Sequence, residues 1–497
     1  MKSGRIKIFR RQPNLSSDPD PRAVTTPSTT GLSTPFILPC VPAWALTVAM
    51  RLHQAGHQAY LVGGCVRDRL LGREPKDWDI ATDAHPEQIQ QLFEHTKPTG
   101  IKYGTVTVLA PPGTTPPRVE VTTFRRDIGT RDQRHPAAVV FSGSLAEDLA
   151  RRDFTINAMA WDPWPGRERL LDPWNGRRDL ERRLVRAVGD PGERFREDAL
   201  RMLRAIRFAA ELGFRLEGRT RAAIRREAAG ADALSRERVR DELLRILASP
   251  DPQWALWEMQ DLDLLFRIIP ELEPAHRLPQ AKPGIHSLLD HLIRAAQHCP
   301  PDPILRLAAL LHDIGKPATL TVEPAGVHFH GHEAVGAQMA AAICRRLRLP
   351  RDETGRIESL VRMHMISITT VTRKALRRWL GQYGEEWVRQ LIALRRADNL
   401  ASGMPADQPD PWLDRLEDDL NEVLHEANAL RIEDLALGGQ DVMRILGLKP
   451  GPAVGEALRH LHERVLEDPT LNTADKLGEL LREYWRIRRA GEIQLRQ

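Results

Sequence analysis

Two aspartates that follow a glycine pair form the first candidate chemical site in the sequence. Gly63 and Gly64 lie where a short apolar run meets a helix-like segment, and Asp77 and Asp79 follow in the strand-like run WDIAT. Glycines let backbone N–H groups and a helix N-terminus approach a phosphate closely. Residues i and i+2 of a strand share a face, where two carboxylates repel each other unless a cation lies between them. Such oxygen ligands suit Mg²⁺, which normally also binds substrate phosphates.

A third carboxylate lies further along the chain, in the strand-like run RVEVTTF. Glu120 joins the aspartates if this strand lies beside WDIAT. Three carboxylates can hold two metal ions, one activating an attacking hydroxyl and the other stabilising a leaving pyrophosphate. Two structural explanations stay open: a tight turn at the glycine pair and a solvated DxD on an edge strand.

An aspartate and three arginines recur at steps of three in the segment FREDALRMLRAIRF. This spacing places Asp198, Arg201, Arg204 and Arg207 on roughly one face of a predicted helix. Arginine offers a fixed fork of donors and aspartate supplies acceptors, as the edge of a nucleobase requires. A salt-bridged surface helix is the alternative.

Adjacent histidine and aspartate residues mark a second candidate site, His312-Asp313 in the segment LRLAALLHDIGKPATL. Histidine and carboxylate ligands at scattered spacing suit Mn²⁺, Ni²⁺, Fe²⁺ or Mg²⁺ and the hydrolysis of phosphate esters. A satisfied core or surface residue is the alternative for each histidine. The candidate partners of the pair are His286, His291, His332, His364 and Asp398.

Two kinds of secondary structure position these residues. Residues from about 40 to 160 alternate short strand and helix patterns, which predicts a small domain with a mixed sheet. Strand patterns nearly vanish after Gly189, where long Arg-, Leu-, Ala- and Glu-rich segments have helical spacing. The predicted fold class is therefore α+β, with an N-terminal mixed-sheet head followed by a long helical body.

Composition limits the classes of binding partner and the cellular compartments to be expected. The 497 residues carry a net charge of +5, which suits a polyanionic partner; a genome rich in arginine codons is the alternative. Four scattered cysteines form no CxxC, which argues against a zinc site or a disulfide framework. The sequence lacks an apolar run long enough for a membrane span. The first 38 residues lack a secretory apolar segment and read as a disordered extension, so we expect a cytoplasmic protein.

Four motifs together resemble the head of the class II nucleotidyltransferases, a family that contains tRNA CCA-adding enzymes and bacterial poly(A) polymerases. They are GG-x-VRD, KD-x-D, VEVTTFRRD and RRDFTINAMA. The resemblance implies that Asp77 and Asp79 bind catalytic Mg²⁺ and that Glu120 is the third carboxylate.

The same resemblance implies a nucleotide site. Gly64 and Arg67 contact the nucleotide, and Arg152 binds its triphosphate beside Asp153, which helps to order the site. In the family the EDxxR motif reads the incoming base. The residues implied by that motif are Asp198 and Arg201 at the Watson–Crick edge of CTP or ATP, with Arg204 and Arg207 near the triphosphate. The next helix, with Glu237, Arg238 and Glu242, is expected to play a structural part.

The segment HDIGKP, with HSLL upstream and ADNLA downstream, resembles the metal-binding core of HD domains. The resemblance implies a second divalent metal held by His286, His312, Asp313 and Asp398. His286 is preferred to His291 because its segment and its spacing to the His-Asp pair resemble those of the family.

Two segments favour CCA addition over poly(A) synthesis. GIKYGTVTV resembles the CCA-type segment with Tyr103 in place of the usual histidine, and the segment starting DLALGGQDV resembles a C-terminal tRNA-binding region. The loop RRDIGTRDQRHPAAVVFSGSLAEDL looks full length, which disfavours a CC-only enzyme. The predicted function is addition of C, C and A to tRNA from CTP and ATP, without an obligate protein partner. The alternatives are a poly(A) polymerase or A-adding enzyme, a metal phosphohydrolase, and an RNA-binding protein with an inactive head.

These expectations divide the chain into five parts. The boundaries are 1–38 for the extension, 39–185 for the nucleotidyltransferase head, 186–275 for a helical neck that selects the nucleotide and binds RNA, 276–402 for the HD domain, and 403–497 for a helical tRNA-binding segment.

Overall fold

A mixed β-sheet forms the N-terminal part of the structure, and helices form most of the rest. The structure, a computed structural model, describes residues 34–35, 38–130, 136–141, 143–282, 284–324, 326–367, 370–405, 407–408, 410–426 and 431–494. The chain divides into two compact units. The first takes the described residues up to 129 together with 136–182 and 186–194, and the second takes 130, 183–185 and the described residues from 195 onward.

The first unit contains an eight-stranded sheet with the order β1-β10-β9-β2-β3-β6-β5-β4. Strand β2 pairs antiparallel with β3, whereas β3 pairs parallel with β6, so the expected mixed sheet is confirmed. Strands β7 and β8 form a separate two-stranded sheet. The elements are β1 Thr34–Pro35, α1 Ala43–Gln54, β2 Ala59–Val62, α2 Gly64–Leu70, β3 Asp79–Thr82, α3 Pro86–Leu92, β4 Thr96–Gly100, β5 Thr105–Leu109, β6 Arg118–Thr123, β7 Arg125–Thr130, β8 Pro136–Phe141, α4 Leu145–Ala150, β9 Ala160–Asp162, β10 Arg169–Leu171 and α5 Gly176–Glu181.

Alternating burial explains the central strands. Along β6 the exposed or half-exposed residues alternate with buried Val119, Val121 and Thr123, because successive side chains of a strand point to opposite faces. The expectation of a structureless extension over residues 1–38 is wrong at its end, where Thr34–Pro35 pairs with β10. Residues 1–33 and 36–37, and residues 131–135 of the loop that contains RHP, lie outside the described residues.

Helices dominate the second unit, as expected. The few strands that sequence patterns did not predict are short and occur in pairs. The remaining elements of the chain are β11 Leu184–Val185, α6 Pro191–Glu197, α7 Leu200–Leu212, β12 Arg215–Leu216, α8 Gly218–Glu227, α9 Arg236–Leu247, α10 Pro252–Asp261, α11 Leu265–Ile268, α12 Leu272–Arg277, β13 Pro279–Lys282, β14 Ile285–Ser287, α13 Leu288–His298, α14 Pro303–Leu311, β15 Thr321–Glu323, β16 Gly326–His328, α15 His332–Arg346, α16 Arg351–Met363, α17 Arg373–Tyr383, α18 Glu385–Ala401, α19 Pro411–Glu426, α20 Gly439–Leu446, α21 Pro452–Glu467 and α22 Ala474–Gln494.

A buried arginine joins two parts of the helical unit. Arg306 on α14 donates hydrogen bonds to the carbonyl oxygens of Cys299 at 3.1 Å, Leu247 at 2.7 Å and Ser249 at 2.7 Å. Leu247 is the last residue of α9 and Ser249 lies two residues beyond it, at a helix end where carbonyl groups lack intrahelical partners. Burial lowers the pKa of Arg306, although Cys299 and Asp302 act in the opposite direction. The arginine therefore satisfies three main-chain acceptors from two separate segments.

The C-terminal helices have a core of their own. Buried side chains from α20, α21 and α22 and from the preceding loop form one apolar cluster, which includes Leu435, Val442, Leu461 and Leu477. Among the described residues, no helix is both long enough and apolar enough to cross a membrane.

Candidate active site and histidine cluster

Asp79 and Glu120 are two carboxylates that the sheet places side by side. Asp79 begins β3, and Glu120 is its register partner on the parallel strand β6. The main-chain N–H of Glu120 donates to the carbonyl oxygen of Trp78 at 3.0 Å, which fixes the register at this end of the two strands. The expectation that RVEVTTF lies beside WDIAT is confirmed.

Asp77 precedes β3 instead of lying within it. Its side chain is exposed, and one of its carboxylate oxygens lies 3.4 Å from Nη2 of Arg118. Within the described part of the chain, the carboxylate oxygens of Asp77, Asp79 and Glu120 do not gather within 4.8 Å of one another. Strand register places Asp79 beside Glu120 at one end of the sheet, and Asp77 lies two residues before β3.

Asp79 has a perturbed acidity. Burial raises the pKa of Asp79 to about 6; the Arg152 guanidinium opposes this rise, and the Glu120 and Asp77 carboxylates add to it. A carboxyl group surrounded by other carboxylates gains more from a bound cation than an isolated one does. The site is therefore chemically suited to a divalent metal.

The glycine pair makes room for Arg152. Gly63 caps α2 with φ 76°, a conformation that residues with a side chain rarely adopt. A Cβ atom on Gly63 would lie 2.7 Å from Nη1 of Arg152, closer than real side chains come. Gly64 is the first residue of the helix. The pair thus permits a guanidinium group to lie directly against a strand-to-helix turn.

Two side-chain networks orient the arginines of the head. Nη1 of Arg67 donates to Oδ1 of Asn157 at 2.7 Å, and Nδ2 of Asn157 donates to Oδ1 of Asp153 at 3.2 Å. Nη2 of Arg152 donates to Oδ2 of Asp148 at 3.2 Å. Both arginines from the sequence motifs are therefore fixed by buried polar neighbours.

Asn157 and Asp148 are absent from the sequence prediction. Burial alone would raise the pKa of Asp148, but the guanidinium groups of Arg152 and Arg151 outweigh it and hold the pKa below its usual value. Asp148 precedes Arg152 by four residues, a spacing that places ion-pair partners together on a helix. That spacing was the available signal for Asp148, and Asn157 lies within RRDFTINAMA itself.

Asp198 does not lie on the predicted continuous helix. The chain breaks between α6 and α7, and Oδ1 of Asp198 accepts a hydrogen bond from the main-chain N–H of Leu200 at 3.1 Å. Its Oδ2 accepts from Nη2 of Arg238 at 2.7 Å, whereas Arg201 donates to Glu197 at 2.6 Å. The prediction that Asp198 shares one helical stripe with the arginines is wrong, because the carboxylate caps the start of α7.

Arg207 is placed in a buried ion pair. Its Nε lies 2.6 Å from Oε2 of Glu242 on α9, and both side chains are at most 7% exposed. Arg204 is more exposed and lies 3.8 Å from the other oxygen of Glu242. The geometry of Arg207 fits support of the neck better than contact with a triphosphate. It also agrees with a structural part for Glu242.

The second candidate site is a buried histidine–aspartate cluster in the helical unit. Nε2 of His291 lies 3.3 Å from Nε2 of His312 and 3.2 Å from Oδ1 of Asp398. Oδ2 of Asp313 lies 3.3 Å from Nε2 of His312 and 3.7 Å from Nε2 of His291. Side chains from three separate helical segments thus point their ligand atoms at one another.

Sequence reasoning chose the wrong upstream histidine. His286 is exposed in β14, and its main-chain N–H donates to Asp290. His291 is fully buried on α13, where it faces the cluster. The structure therefore places His291, and not His286, with His312, Asp313 and Asp398.

Neighbouring charges decide the protonation of this cluster. Burial alone would lower the pKa of His312, but Asp313 outweighs burial and raises it to about 10. Burial alone would raise the pKa of Asp313, but His312 and the other histidines hold it well below its usual value. Burial lowers the pKa of His291 despite the opposing effect of Asp398. His291 and His312 likewise outweigh burial at Asp398 and hold its pKa well below the usual value, so both carboxylates are ionised, as metal ligands must be.

The imidazole of His312 has the tautomer of a metal ligand. Its Nδ1 lies 2.8 Å from the carbonyl oxygen of Ala309, which only accepts, so Nδ1 carries the proton. Nε2 is then free to present a lone pair to the cluster when the ring is neutral, as in histidines that bind metal and donate to a main-chain carbonyl.

Three family models match successive parts of the chain. The Poly A polymerase head domain matches residues 59–186, the probable RNA and SrmB-binding site of polymerase A matches 213–276, and the HD domain matches 291–403. The first match contains the head carboxylates, and the third begins at His291.

Whole-chain comparisons point to one group of proteins. The CCA-adding enzyme of Limosilactobacillus fermentum is 35% identical over 456 residues, which cover 88% of this chain and 97% of that protein. The CCA-adding enzyme of Anoxybacillus flavithermus is 32% identical and covers 88% of this chain and 95% of its own length. The structure of the Bacillus stearothermophilus CCA-adding enzyme in complex with CTP is 31% identical, has a TM-score of 0.66 and covers 90% of this chain and 98% of its own. The chain belongs to the family of CCA-adding enzymes.

Proposed function

We propose that Asp77, Asp79 and Glu120 hold Mg²⁺ while the chain adds C, C and A to the 3′ ends of tRNA from CTP and ATP. The reaction is that of the family, and divalent-metal dependence comes with it. The residues fit the ion, because carboxylate oxygens are the ligands that Mg²⁺ prefers. The ion would acidify the attacking 3′-hydroxyl and stabilise the leaving pyrophosphate.

The arginines of the head bind the triphosphate in this proposal. Arg67 and Arg152 supply the positive charge, and the N-terminus of α2 at Gly64 supplies backbone N–H groups. The observation that carries the proposal is the position of Arg152. Its guanidinium lies against Gly63 and also acts on the pKa of Asp79, so it connects the glycine turn to the carboxylates.

Base selection is assigned to Asp198 and Arg201, with Arg204 near the triphosphate. Because Arg238 donates to Asp198, one oxygen of that carboxylate is held in place. Arg238 thus acts as a positioning residue for the base-reading pair. Arg207 is left out of the nucleotide site, since Glu242 already holds it in a buried pair.

The remaining assignments concern RNA and location. The helical segment 403–497 would bind tRNA through shape and phosphate contacts, as duplex RNA requires. We also propose a cytoplasmic location, which the four free cysteines support.

The proposal is tested with purified protein, Mg²⁺ and tRNA transcripts that lack CCA, end in C or end in CC. CTP, ATP or both are supplied, and products are sized at single-nucleotide resolution. Addition of C, C and A followed by a halt is expected. A single A on the CC-ended transcript alone, or a long ladder of A, would overturn the proposed nucleotide choice.

Two variants test the residue assignments. Asp79→Asn is expected to lower the addition rate by at least a factor of about 1,000, because it removes a metal ligand from the centre of the site. Asp83→Asn is the matched control, because Asp83 lies just after the same strand. Among the described residues, its carboxylate contacts only His57 and Gln58. Equal activity of the two variants would refute the metal assignment.

A second candidate function is hydrolysis of phosphate esters by the HD domain. The buried cluster favours it, because His291, His312, Asp313 and Asp398 can supply the mixed nitrogen and oxygen donors of a transition metal. Bis-p-nitrophenyl phosphate, assayed with Mn²⁺ or Ni²⁺, provides a direct measurement. Asp313→Ala should abolish hydrolysis, whereas Asp77→Ala should abolish nucleotide addition and leave hydrolysis intact. Hydrolysis that survives Asp313→Ala would exclude the HD domain as its source.

A further inference from the structure

A buried negative charge lies directly behind the arginine that is proposed to bind the triphosphate. The side chain of Asp148 on α4 is 1% exposed, and its Oδ2 accepts the hydrogen bond from Nη2 of Arg152 at 3.2 Å. Its Oδ1 accepts from Nε of Arg151 at 3.0 Å and from Nη2 of Arg151 at 2.6 Å. One buried carboxylate thus holds two neighbouring guanidinium groups, and each of its oxygens serves a different one.

The charge of Asp148 opposes the binding of a nucleotide. Burial alone would raise the pKa of Asp148, but Arg152 and Arg151 hold it below its usual value, so the carboxylate is ionised. A carboxylate repels the phosphates of a triphosphate, and the repulsion is strong where water is excluded. A buried anion at this place therefore needs a compensating benefit, and we find one in the geometry of Arg152.

Three contacts restrict the guanidinium of Arg152. Asp148 accepts from Nη2, and the main-chain oxygen of Asn157 accepts from Nη1 at 3.5 Å. A Cβ atom on Gly63 would lie 2.7 Å from the same Nη1, so the backbone of the glycine turn forms the third side. The conformation of a long, flexible side chain is therefore fixed by the protein itself, which reduces the entropy that ligand binding must remove.

Arg152 also has donors that the protein does not use. An arginine carries five N–H donors, and Nε of Arg152 is buried without a hydrogen-bond partner among the described residues. Buried donors without partners are rare and require an explanation. Phosphate oxygens placed at the glycine turn would accept from this guanidinium. Asp148 thus occupies one part of the guanidinium and leaves other donors for an anion.

The helix that carries Asp148 is fixed to the strands of the site. Leu149, the next residue, is buried in an apolar cluster with Val62 of β2 and Ala81 of β3. Val62 directly precedes the glycine turn, and Ala81 lies two residues after Asp79 on the same strand. The carboxylate of Asp148 is therefore held in place relative to both the turn and the head carboxylates.

We propose that Asp148 is a positioning residue for nucleotide binding, because it holds the guanidinium of Arg152 in the orientation that receives the triphosphate. The inference rests on the proposed role of Arg152 and deepens it. A guanidinium that is fixed in this way directs its fork of donors at phosphate oxygens. The gain from orientation offsets the repulsion between Asp148 and the substrate. Since the effect concerns the phosphates alone, it is the same for CTP and ATP.

Asp148→Asn separates orientation from charge, because it keeps the shape of the side chain and removes its negative charge. If charge alone mattered, the variant would bind nucleotides more tightly. We expect the opposite, with the KM for CTP and the KM for ATP each rising about 10-fold, because a charge-assisted hydrogen bond is lost. The Ki of inorganic pyrophosphate, which carries phosphates without a base, should rise by a similar factor. The KM for tRNA should stay unchanged.

A double-mutant cycle with Arg152→Met tests whether Asp148 acts through this arginine. Asp148→Asn should not raise the Ki of pyrophosphate further in the Arg152→Met protein, because residues that act through one contact are not additive. Asp162→Asn is the matched control, since Asp162 is also buried in the first unit and lies 3.6 Å from Arg169. In the described part of the chain, Asp162 contacts no arginine of the nucleotide site. Its kinetic constants should match those of the parent protein.

The outcomes separate the inference from the assignment on which it rests. If Arg152→Met changes none of these constants, Arg152 does not bind the triphosphate and both are overturned. If Arg152→Met raises them while Asp148→Asn lowers them or leaves them unchanged, or if the two effects add, only the positioning role is overturned.

A second variant covers the case in which Asp148→Asn fails to fold, as judged by thermal unfolding. Asp148→Glu keeps the charge and moves the carboxylate by one methylene group. The KM for both nucleotides should then rise in the parent protein and not in the Arg152→Met protein. A rise in both proteins would contradict a role that acts through Arg152.

Discussion

At the scale of single residues, one carboxylate and one guanidinium define the head site. Asp79 is partly buried beside Glu120. The guanidinium of Arg152, which lies against the glycine turn, acts to lower the pKa of Asp79. Burial raises the pKa of Asp79 to about 6; Arg152 opposes this rise, and the carboxylates of Glu120 and Asp77 add to it. In the proposed site the ionised form would bind the metal, so proton and metal would compete for the same oxygens.

The acidity of Asp79 predicts the acid limb of the pH profile. Its pKa is raised to about 6, so the fraction of metal-binding carboxylate falls as the pH drops through that value. Nucleotide addition measured between pH 5 and 8 at limiting Mg²⁺ (about one-tenth of saturation) should therefore decline below about pH 6. Raising Mg²⁺ should move the midpoint to lower pH. A midpoint that is independent of Mg²⁺ would assign the limb to a different group.

The buried pair of Arg207 and Glu242 predicts a loss of stability without a loss of substrate recognition. Arg207→Met leaves the Glu242 carboxylate without its closest partner, which costs about 3–5 kcal/mol for a buried pair. The thermal unfolding temperature should fall, while the KM for CTP measured below that temperature stays unchanged. Arg226→Met is the control and should change stability little, because Arg226 is 61% exposed and its partner Glu227 keeps a second ion pair with Arg196. A selective rise in the KM for CTP would instead assign Arg207 to the nucleotide site.

At the scale of elements, turns decide where the chemistry can occur. The glycine pair between β2 and α2 leaves room for Arg152 to lie against the turn. The parallel pairing of β3 with β6 brings Glu120 beside Asp79. Both placements depend on local backbone geometry, the turn in one case and the strand register in the other. A small change in backbone geometry should therefore affect activity more than folding.

Gly63 and Gly56 provide a matched pair of turn glycines. Both have positive φ, 76° for Gly63 and 89° for Gly56, so alanine strains the backbone at either position. The ψ of Gly63 is −130°, so its conformation is open to almost no residue except glycine. A Cβ on Gly63 would strike Arg152, whereas a Cβ on Gly56 meets nothing within 4 Å. Gly63→Ala should reduce nucleotide addition at least 10-fold, and Gly56→Ala should leave it nearly unchanged. Equal losses in the two variants would mean that backbone strain alone is responsible.

Local patterns predicted most of these elements, and tertiary contacts decided the exceptions. The strands of the head were predictable because their apolar residues alternate and Gly or Pro marks their ends. The break at Asp198 could not be predicted, because the segment EDALRM has no helix breaker. The hydrogen bond by which Asp198 caps α7 forms only in the folded chain. His291 was recoverable, since it lies between Leu288 and Leu292 on the buried face of α13, but resemblance in spacing favoured His286. The position of Asp313 among four histidines could not be predicted, since it depends on how four helices pack together.

At the scale of the whole molecule, the chain is a CCA-adding enzyme family member with two chemically distinct centres. The carboxylate centre belongs to the first unit and the histidine cluster to the second. Their side chains differ in kind, with oxygen donors in the first and mixed nitrogen and oxygen donors in the second, so under the proposed function the two centres would favour different metals.

Arg306 limits how this protein can be divided and recombined. The family models treat the segment 213–276 and the HD domain 291–403 as separate modules, yet a guanidinium from the second module satisfies the carbonyl oxygens of Leu247 and Ser249 in the first. Separating the two modules in the gene would leave those carbonyl oxygens without their hydrogen-bond donor, at a newly exposed apolar surface. Shuffling HD domains among relatives should therefore succeed only when the neck helix that ends at Leu247 travels with its own domain. We therefore expect the two modules to be inherited together.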